Sequence, residues 1–206
     1  MIQPLARRRP WKVAREAVTL DHISNGRFVL CVGLGATDDS GWGRVGEPTD
    51  RRTRAEKLDE TLQILTGLWS GEPFGFAGEH YRFKPMAFRP PPVQQPRIPI
   101  WVVGAWPSDR SMGRAIRYDG LLPNVVGGGS LEPETAALIR DWIGARRSLE
   151  TFEIVVEGTT PSDDPAAASA EVRRWTDAGA TWWIESNWES FDPSVARRRI
   201  EAGPPR

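Results

Sequence analysis

The segment Arg27-Phe28-Val29-Leu30-Cys31-Val32-Gly33-Leu34-Gly35 limits what this chain can fold into more than any other. Five consecutive apolar residues, Phe28 to Val32, run into a Gly-x-Gly. Such a run is short for a helix and reads as a strand buried on both faces, the habit of parallel sheets. Glycines at its end let the backbone turn sharply and approach a ligand with no side chain in between. In parallel α/β folds ligands collect at the carboxyl ends of the strands. Gly33, Leu34 and Gly35 are therefore candidate ligand contacts.

The rest of the chain alternates around this strand. A helix is expected over 10–24, opened by Pro10, with Val13, Ala17 and Leu20 inward and Gly26 in the left-handed cap position. Asp50 is placed to cap a helix over 51–70, whose stripe is Ala55, Leu58, Leu62, Leu65 and Trp69, with Arg51, Arg54, Lys57 and Glu60 off it. Residues 71–97 are dense in Gly, Pro and aromatics and read as a hairpin or ordered excursion, with disorder as the alternative. Four further strand–helix units follow: strands at 98–104, 121–126, 152–156 and 181–184, and helices at 108–118, 132–147, 168–178 and 193–200. Leu138, Ile139 and Trp142 are expected inward on the second of these helices.

Alternation of this kind means a parallel sheet with crossover helices. A doubly wound sheet and a (β/α) barrel both satisfy it. Position 38 is Asp, so Gly33-Leu34-Gly35 does not continue into the dinucleotide fingerprint. The two histidines, His22 and His80, form no spacing suited to a metal. His22 is expected to be solvated and His80 structural. No Gly-x-Ser-x-Gly elbow marks a serine hydrolase. The net charge of zero gives no bulk attraction to nucleic acid or acidic membranes. A lone cysteine, no secretory h-region and no apolar run near the roughly 18 residues of a membrane span point to the cytoplasm. Ten tryptophans are many for 206 residues; core packing is the leading use, and a carbohydrate- or nucleic-acid-binding surface is the rival.

Three stretches together resemble the luciferase-like monooxygenase family, the flavin- and deazaflavin-dependent barrels related to bacterial luciferase. The first runs from Pro10-Trp11-Lys12 through Leu20-Asp21-His22-Ile23-Ser24-Asn25-Gly26-Arg27 to Gly35. The second is Arg54 to Trp69 with Gly78-Glu79-His80-Tyr81 behind it, and the third is Pro99 to Gly104 with Asp119-Gly120-Leu121. The resemblance implies a single domain over 1–206, a TIM-type (β/α) barrel with about five of its strands present. The first stretch corresponds to the family's third helix and fourth strand. The first three strands, with much of the substrate pocket, are then expected to be missing, and no catalytic residue is assigned. Strands 28–32 and 181–184 become open edges, which favours a homodimer.

The same resemblance implies flavin mononucleotide (FMN) or a deazaflavin coenzyme. With it come either reduced flavin and O2 acting on a small organic substrate, with a separate flavin reductase as the partner, or hydride exchange with the deazaflavin. A non-catalytic barrel remnant is the alternative. A phosphate-bearing cofactor needs an anion site. Gly104-Ala105-Trp106-Pro107-Ser108, with Arg110 beyond it, supplies glycine, a hydroxyl, helix-start N–H groups and a positive charge. Gly127-Gly128-Gly129-Ser130 is a second candidate anion nest.

Overall fold

The computed structural model describes residues 2–37, 41–188 and 192–205. Two compact units divide it, Met1–Val103 and Gly104–Arg206.

The first unit contains a two-residue strand β1 (Gln3–Pro4), helix α1 (Pro10–Ser24), strand β2 (Leu30–Gly33), helix α2 (Arg51–Trp69), the hairpin β3 (Phe74–Ala77) and β4 (Arg82–Met86), and the start of β5 (Ile100–Trp106). The expected buried strand is β2, and all four of its residues are buried. It is not an edge. Gln3 and Pro4 pair with Val32 and Gly33 on one side, and Leu30 to Val32 pair in parallel with Ile100 to Val102 on the other. The Met1-Ile2-Gln3-Pro4 start carries too little apolar pattern for β1 to be read from sequence.

Pro10 opens α1, and its end is turned by two left-handed residues, Asn25 (φ 53) as the cap and Gly26 (φ 74). Asp50 caps α2 by accepting from the Thr53 N–H at 2.8 Å. Leu58, Leu62, Leu65 and Trp69 are buried as the spacing predicts, joined by Ile64 and Leu68. Trp69 donates from its indole to the Ala14 carbonyl at 3.1 Å, which ties α2 to α1. Arg54 departs from the expected pattern: it is buried, not on the solvated face.

Residues 71–97 are ordered. β3 and β4 pair antiparallel, and Phe74, Phe76, Phe83, Tyr81 and Trp11 form an aromatic cluster with ring centroids 6.0–6.4 Å apart. Phe74 lies on Gly67 of α2, where any side chain would collide with the ring. Two carboxylates fasten the excursion. Glu60 accepts from the N–H groups of Glu79 (2.7 Å), His80 (3.1 Å) and Tyr81 (3.0 Å). Fully buried Asp21 accepts from the N–H groups of Val93 (2.7 Å) and Gln94 (3.1 Å) and from the Gln94 side chain (2.7 Å).

The second unit holds the end of β5, α3 (Asp109–Ala115), β6 (Gly120–Val125), α4 (Pro133–Gly144), β7 (Glu153–Gly158), α5 (Pro165–Asp177), β8 (Trp182–Glu185) and α6 (Pro193–Ala202). β6, β7 and β8 are successive parallel neighbours. The β6–β7 pairing covers Gly120 and Leu121 and stops short of Pro123, which has no N–H to give. Among the described residues β8 pairs on one side only, as expected of strand 181–184. Among the described residues the strands of this sheet number six, not five, because of β1. α4 buries Ala136, Ile139 and Ile143 and leaves Leu138 60% exposed, so its inward stripe is offset from the expected one. Of the tryptophans, Trp42, Trp69, Trp101 and Trp175 are buried, and only Trp182 and Trp188 are largely exposed. Among the described residues no helix is long and apolar enough to cross a membrane, and no group of acidic, His or Cys side chains is arranged to hold a metal.

Candidate functional site

The carboxyl ends of β5 and β6 lie side by side in the second unit, with the Val126 N–H bonded to the Trp106 carbonyl at 2.9 Å. After β5 the chain passes through a cis Trp106–Pro107 bond into Ser108. Ser108 caps α3, its hydroxyl oxygen accepting from the Ser111 N–H at 3.4 Å, and the Ser111 hydroxyl in turn accepts from the Ala105 N–H at 2.9 Å. α3 spans seven residues, shorter than the 108–118 expected, so its dipole is modest.

The fit of this loop to a phosphate is mixed. Among the described residues no protein acceptor meets the Ser108 O–H or the N–H groups of Asp109 and Arg110. Arg110 is exposed on the first turn. Asp109 stands in the same turn with the opposite charge. Beside the loop, Gly127 (φ 90) and Gly128 (φ 79) are left-handed with open space where side chains would be. That is a cradle a ligand can enter, at the second anion site the sequence offered. The donors present suit an oxyanion, with Asp109 as the group that limits its affinity.

Gly104 has a packing duty: a side chain there would collide with Leu121 and come within 3.0 Å of the Met112 sulfur, so glycine lets α3 and β6 close on β5. Trp106 is half-buried and meets Trp142 edge to face at 6.2 Å, with the Arg146 guanidinium 4.0 Å over Trp142.

Gly33, Leu34 and Gly35 lie in the first unit. A side chain on Gly35 (φ 79) would come within 2.6 Å of the Trp42 ring and 2.8 Å of Pro4. That face of the glycine is therefore filled by protein. Arg54 donates from Nη1 to the carbonyls of Gly35 (2.7 Å) and Leu34 (3.3 Å). Trp42, 2% exposed, has two guanidinium groups over its ring, those of Arg7 (5.0 Å) and Arg54 (5.4 Å). Burial lowers the Arg54 pKa below the ordinary guanidinium value, and Arg51 adds to the effect. Sequence spacing missed this arginine because helical charge is usually solvated. Its one legible signal is a position one step from the apolar stripe.

Neither histidine is placed as a proton handler. His22 is exposed and bonds the Pro91 carbonyl at 2.9 Å. His80 lies 3.3 Å from the Glu56 carboxylate, whose pKa is lowered first by Arg52 and then by His80. Burial pushes the Cys31 thiol up to about 11, which leaves it unreactive at neutral pH.

Parallel strands alternating with helices define an α/β protein of the (β/α) kind. The model of the luciferase-like monooxygenase family matches residues 1–205, and the chain belongs to that family. The FMNH2-dependent dimethylsulfone monooxygenase of Pseudomonas putida is 28% identical over 116 residues, which are 52% of this chain and 30% of that protein. A Mycobacterium tuberculosis protein named "Putative coenzyme F420-dependent oxidoreductase" is 32% identical over 191 residues, 82% of this chain and 52% of that protein. The chain thus spans about half or less of the curated relatives it matches. Among solved structures, the coenzyme F420-dependent tetrahydromethanopterin reductase of Methanopyrus kandleri superposes with a TM-score of 0.71 at 15% identity. That match covers 98% of this chain and 81% of the reductase, and identifies the fold as that of the luciferase-like TIM barrels.

Proposed function

We propose that the chain is a flavin-dependent oxidoreductase of the monooxygenase kind, working with FMN on a small organic substrate. We treat residues 1–206 as one domain for this purpose, since one family model spans 1–205. The observation that carries the reading is the loop pair at the carboxyl ends of β5 and β6. There a free hydroxyl, two free N–H groups and an exposed arginine stand beside an open glycine turn. When bound, the flavin supplies the redox chemistry. The chain's own part is to hold its phosphate through Ser108, the N–H groups of Asp109 and Arg110, and the Arg110 charge. Ala105 and Trp106 form the adjoining wall, with Gly104 as the packing hinge behind it. In the first unit Gly33, Leu34 and Gly35 are proposed as ligand contacts, through a face other than the one that Trp42 and Pro4 fill at Gly35.

A second reading uses coenzyme F420 in place of FMN. It is favoured by one observation: the F420-named relative aligns with 82% of the chain, against 52% for the FMNH2-dependent one. An FMNH2-dependent enzyme consumes reduced flavin, so a separate flavin reductase is the expected partner under the first reading and not under the second. The single-sided edge of β8, with Trp182 exposed, supports a homodimer. The cytoplasm is the assigned compartment.

Titrating FMN, riboflavin and F420 against the protein by absorbance and fluorescence tests the reading. Wild type should bind FMN more tightly than riboflavin. Ser108→Asp should abolish that preference, since two negative groups then face each other. Equal affinity for FMN and riboflavin in the wild type refutes the phosphate assignment.

A further inference from the structure

Arg54 sits at the point where α2 meets the end of β2, and three features single it out. It is 8% exposed, an uncommon state for arginine. One of its nitrogens, Nη1, bonds two successive carbonyls, Leu34 and Gly35, at 3.3 and 2.7 Å. Its guanidinium also lies over Trp42, the ring that fills the space beside Gly35. The three contacts act on the same two residues. A carbonyl bonded to a buried cation cannot swing away without stranding that charge. A left-handed glycine packed against an indole cannot relax in the other direction.

We propose that Arg54 is a positioning residue that holds the Leu34–Gly35 backbone, at the carboxyl end of β2, in the conformation a flavin-type cofactor meets. The proposal rests on the cofactor reading above for its second half only. Lysine cannot replace it. An ammonium group is a point donor and cannot lie flat on an indole while bonding two carbonyls.

The experiment uses Arg54→Lys, Arg54→Gln and, as a control, Arg7→Ala. The control removes the other cation over Trp42 and leaves both carbonyl bonds intact. Hydrogen exchange over residues 30–37, the thermal midpoint and the FMN dissociation constant are measured for each. Arg54→Lys and Arg54→Gln should exchange about tenfold faster at Leu34–Thr37 than wild type, with the rest of the first unit unchanged. FMN should bind about tenfold more weakly, the effect of losing one charge-assisted bond's worth of preorganisation. Arg7→Ala should match wild type in both. Unchanged exchange at Leu34–Thr37 overturns the proposal. So does exchange that rises uniformly across the unit, or failure of both Arg54 variants to fold, because either makes Arg54 a general core residue. Faster local exchange with unchanged FMN affinity removes the cofactor half. If wild type binds no flavin at all, the cofactor reading fails, and the exchange result alone decides whether Arg54 sets this strand end.

Discussion

Replacing Asp21 with alanine should loosen the tract at 91–95 and lower the stability of the whole first unit. The Asp21 carboxylate is fully buried, and it accepts three hydrogen bonds of 2.7–3.1 Å from Val93 and Gln94. A hydrogen bond to a charged group contributes about 1.5–3 kcal/mol, and bonds to one acceptor are not additive. Alanine leaves the Val93 and Gln94 N–H groups without their acceptor, so the loss is about 3–5 kcal/mol. For a chain of this size that lowers the Tm by on the order of 10 °C. Asparagine is the informative companion. Its oxygen can take the Oδ2 place and keep both backbone bonds, but its NH2 then faces the Gln94 NH2. Flipping Gln94 relieves that clash and gives up the 2.7 Å bond from Gln94 to the Phe28 carbonyl. Asp21→Asn should therefore cost about 1–3 kcal/mol, less than alanine. Urea denaturation gives the free energies, and hydrogen exchange over 91–95 locates the change. A loss under about 1 kcal/mol for Asp21→Ala, with exchange at Val93 and Gln94 unaltered, would show that water replaces the carboxylate and that the tract is held by its aromatics alone.

Two other predictions concern the strands. Gly104→Val should destabilise the second unit by about 1–3 kcal/mol through overpacking against Leu121 and Met112, read by denaturation, with flavin affinity falling only in parallel. Cys31 should resist thiol reagents at pH 8 until the protein unfolds. Its folded pKa of about 11 lies above the ordinary value of 9.0, so its share of stability is intact below pH 9 and declines as pH rises from 9 toward 11. A Cys31→Ala variant should lack that decline, and an identical alkaline profile in both proteins would refute the assignment.

The helices and strands were legible where one physical signal decided each of them. Asp50 and Pro10 mark helix starts by local chemistry that depends on nothing distant, and both stand where expected. The apolar runs at β2, β5 and β7 need no partner to be recognised. What stayed hidden depends on tertiary neighbours. β1 is strand only because β2 lies beside it. Leu138 faces out because α4 turns Ala136, Ile139 and Ile143 inward instead. Arg54 is buried because Leu34, Gly35 and Trp42 give it acceptors and a ring. Gly104 and Gly35 read from sequence as candidate ligand contacts, and their missing side chains also make room for Leu121 and Trp42. A glycine at a strand end carries the same letter in either role, and only the atoms around it tell them apart.

The residues that reveal the family are mostly not placed to do its chemistry. Asp21, from the first resembling stretch, holds Val93 and Gln94. Glu60, from the second, holds the turn at Glu79–Tyr81, and a side chain on Gly78 would strike that same carboxylate. Arg54 holds the end of β2. Each is a charged group committed to backbone partners far away in sequence, so each fixes two elements at once. Substituting any of them strands a buried or half-buried polar group, a penalty that applies whatever the cofactor or substrate. At Trp106–Arg110 and Gly127–Ser130 the commitments are fewer and lie in backbone and cap: the Trp106 carbonyl accepts from Val126, and Ser108 caps α3. Arg110 is exposed, and Gly127 and Gly128 face open space. Changes there that keep the Ser108 cap and the left-handed glycines Gly127 and Gly128 leave the fold intact, so the remaining positions are available to set cofactor and substrate. Relatives that differ in cofactor, FMNH2 in one and F420 in another, are expected to agree at the fastening residues and diverge at these loops. Exchanging the 105–110 and 126–130 segments for those of an F420-dependent relative should therefore shift the ratio of FMN to F420 affinity while leaving the urea midpoint near that of the wild type. A collapse of stability instead would mean that the loops are fastened to the fold after all.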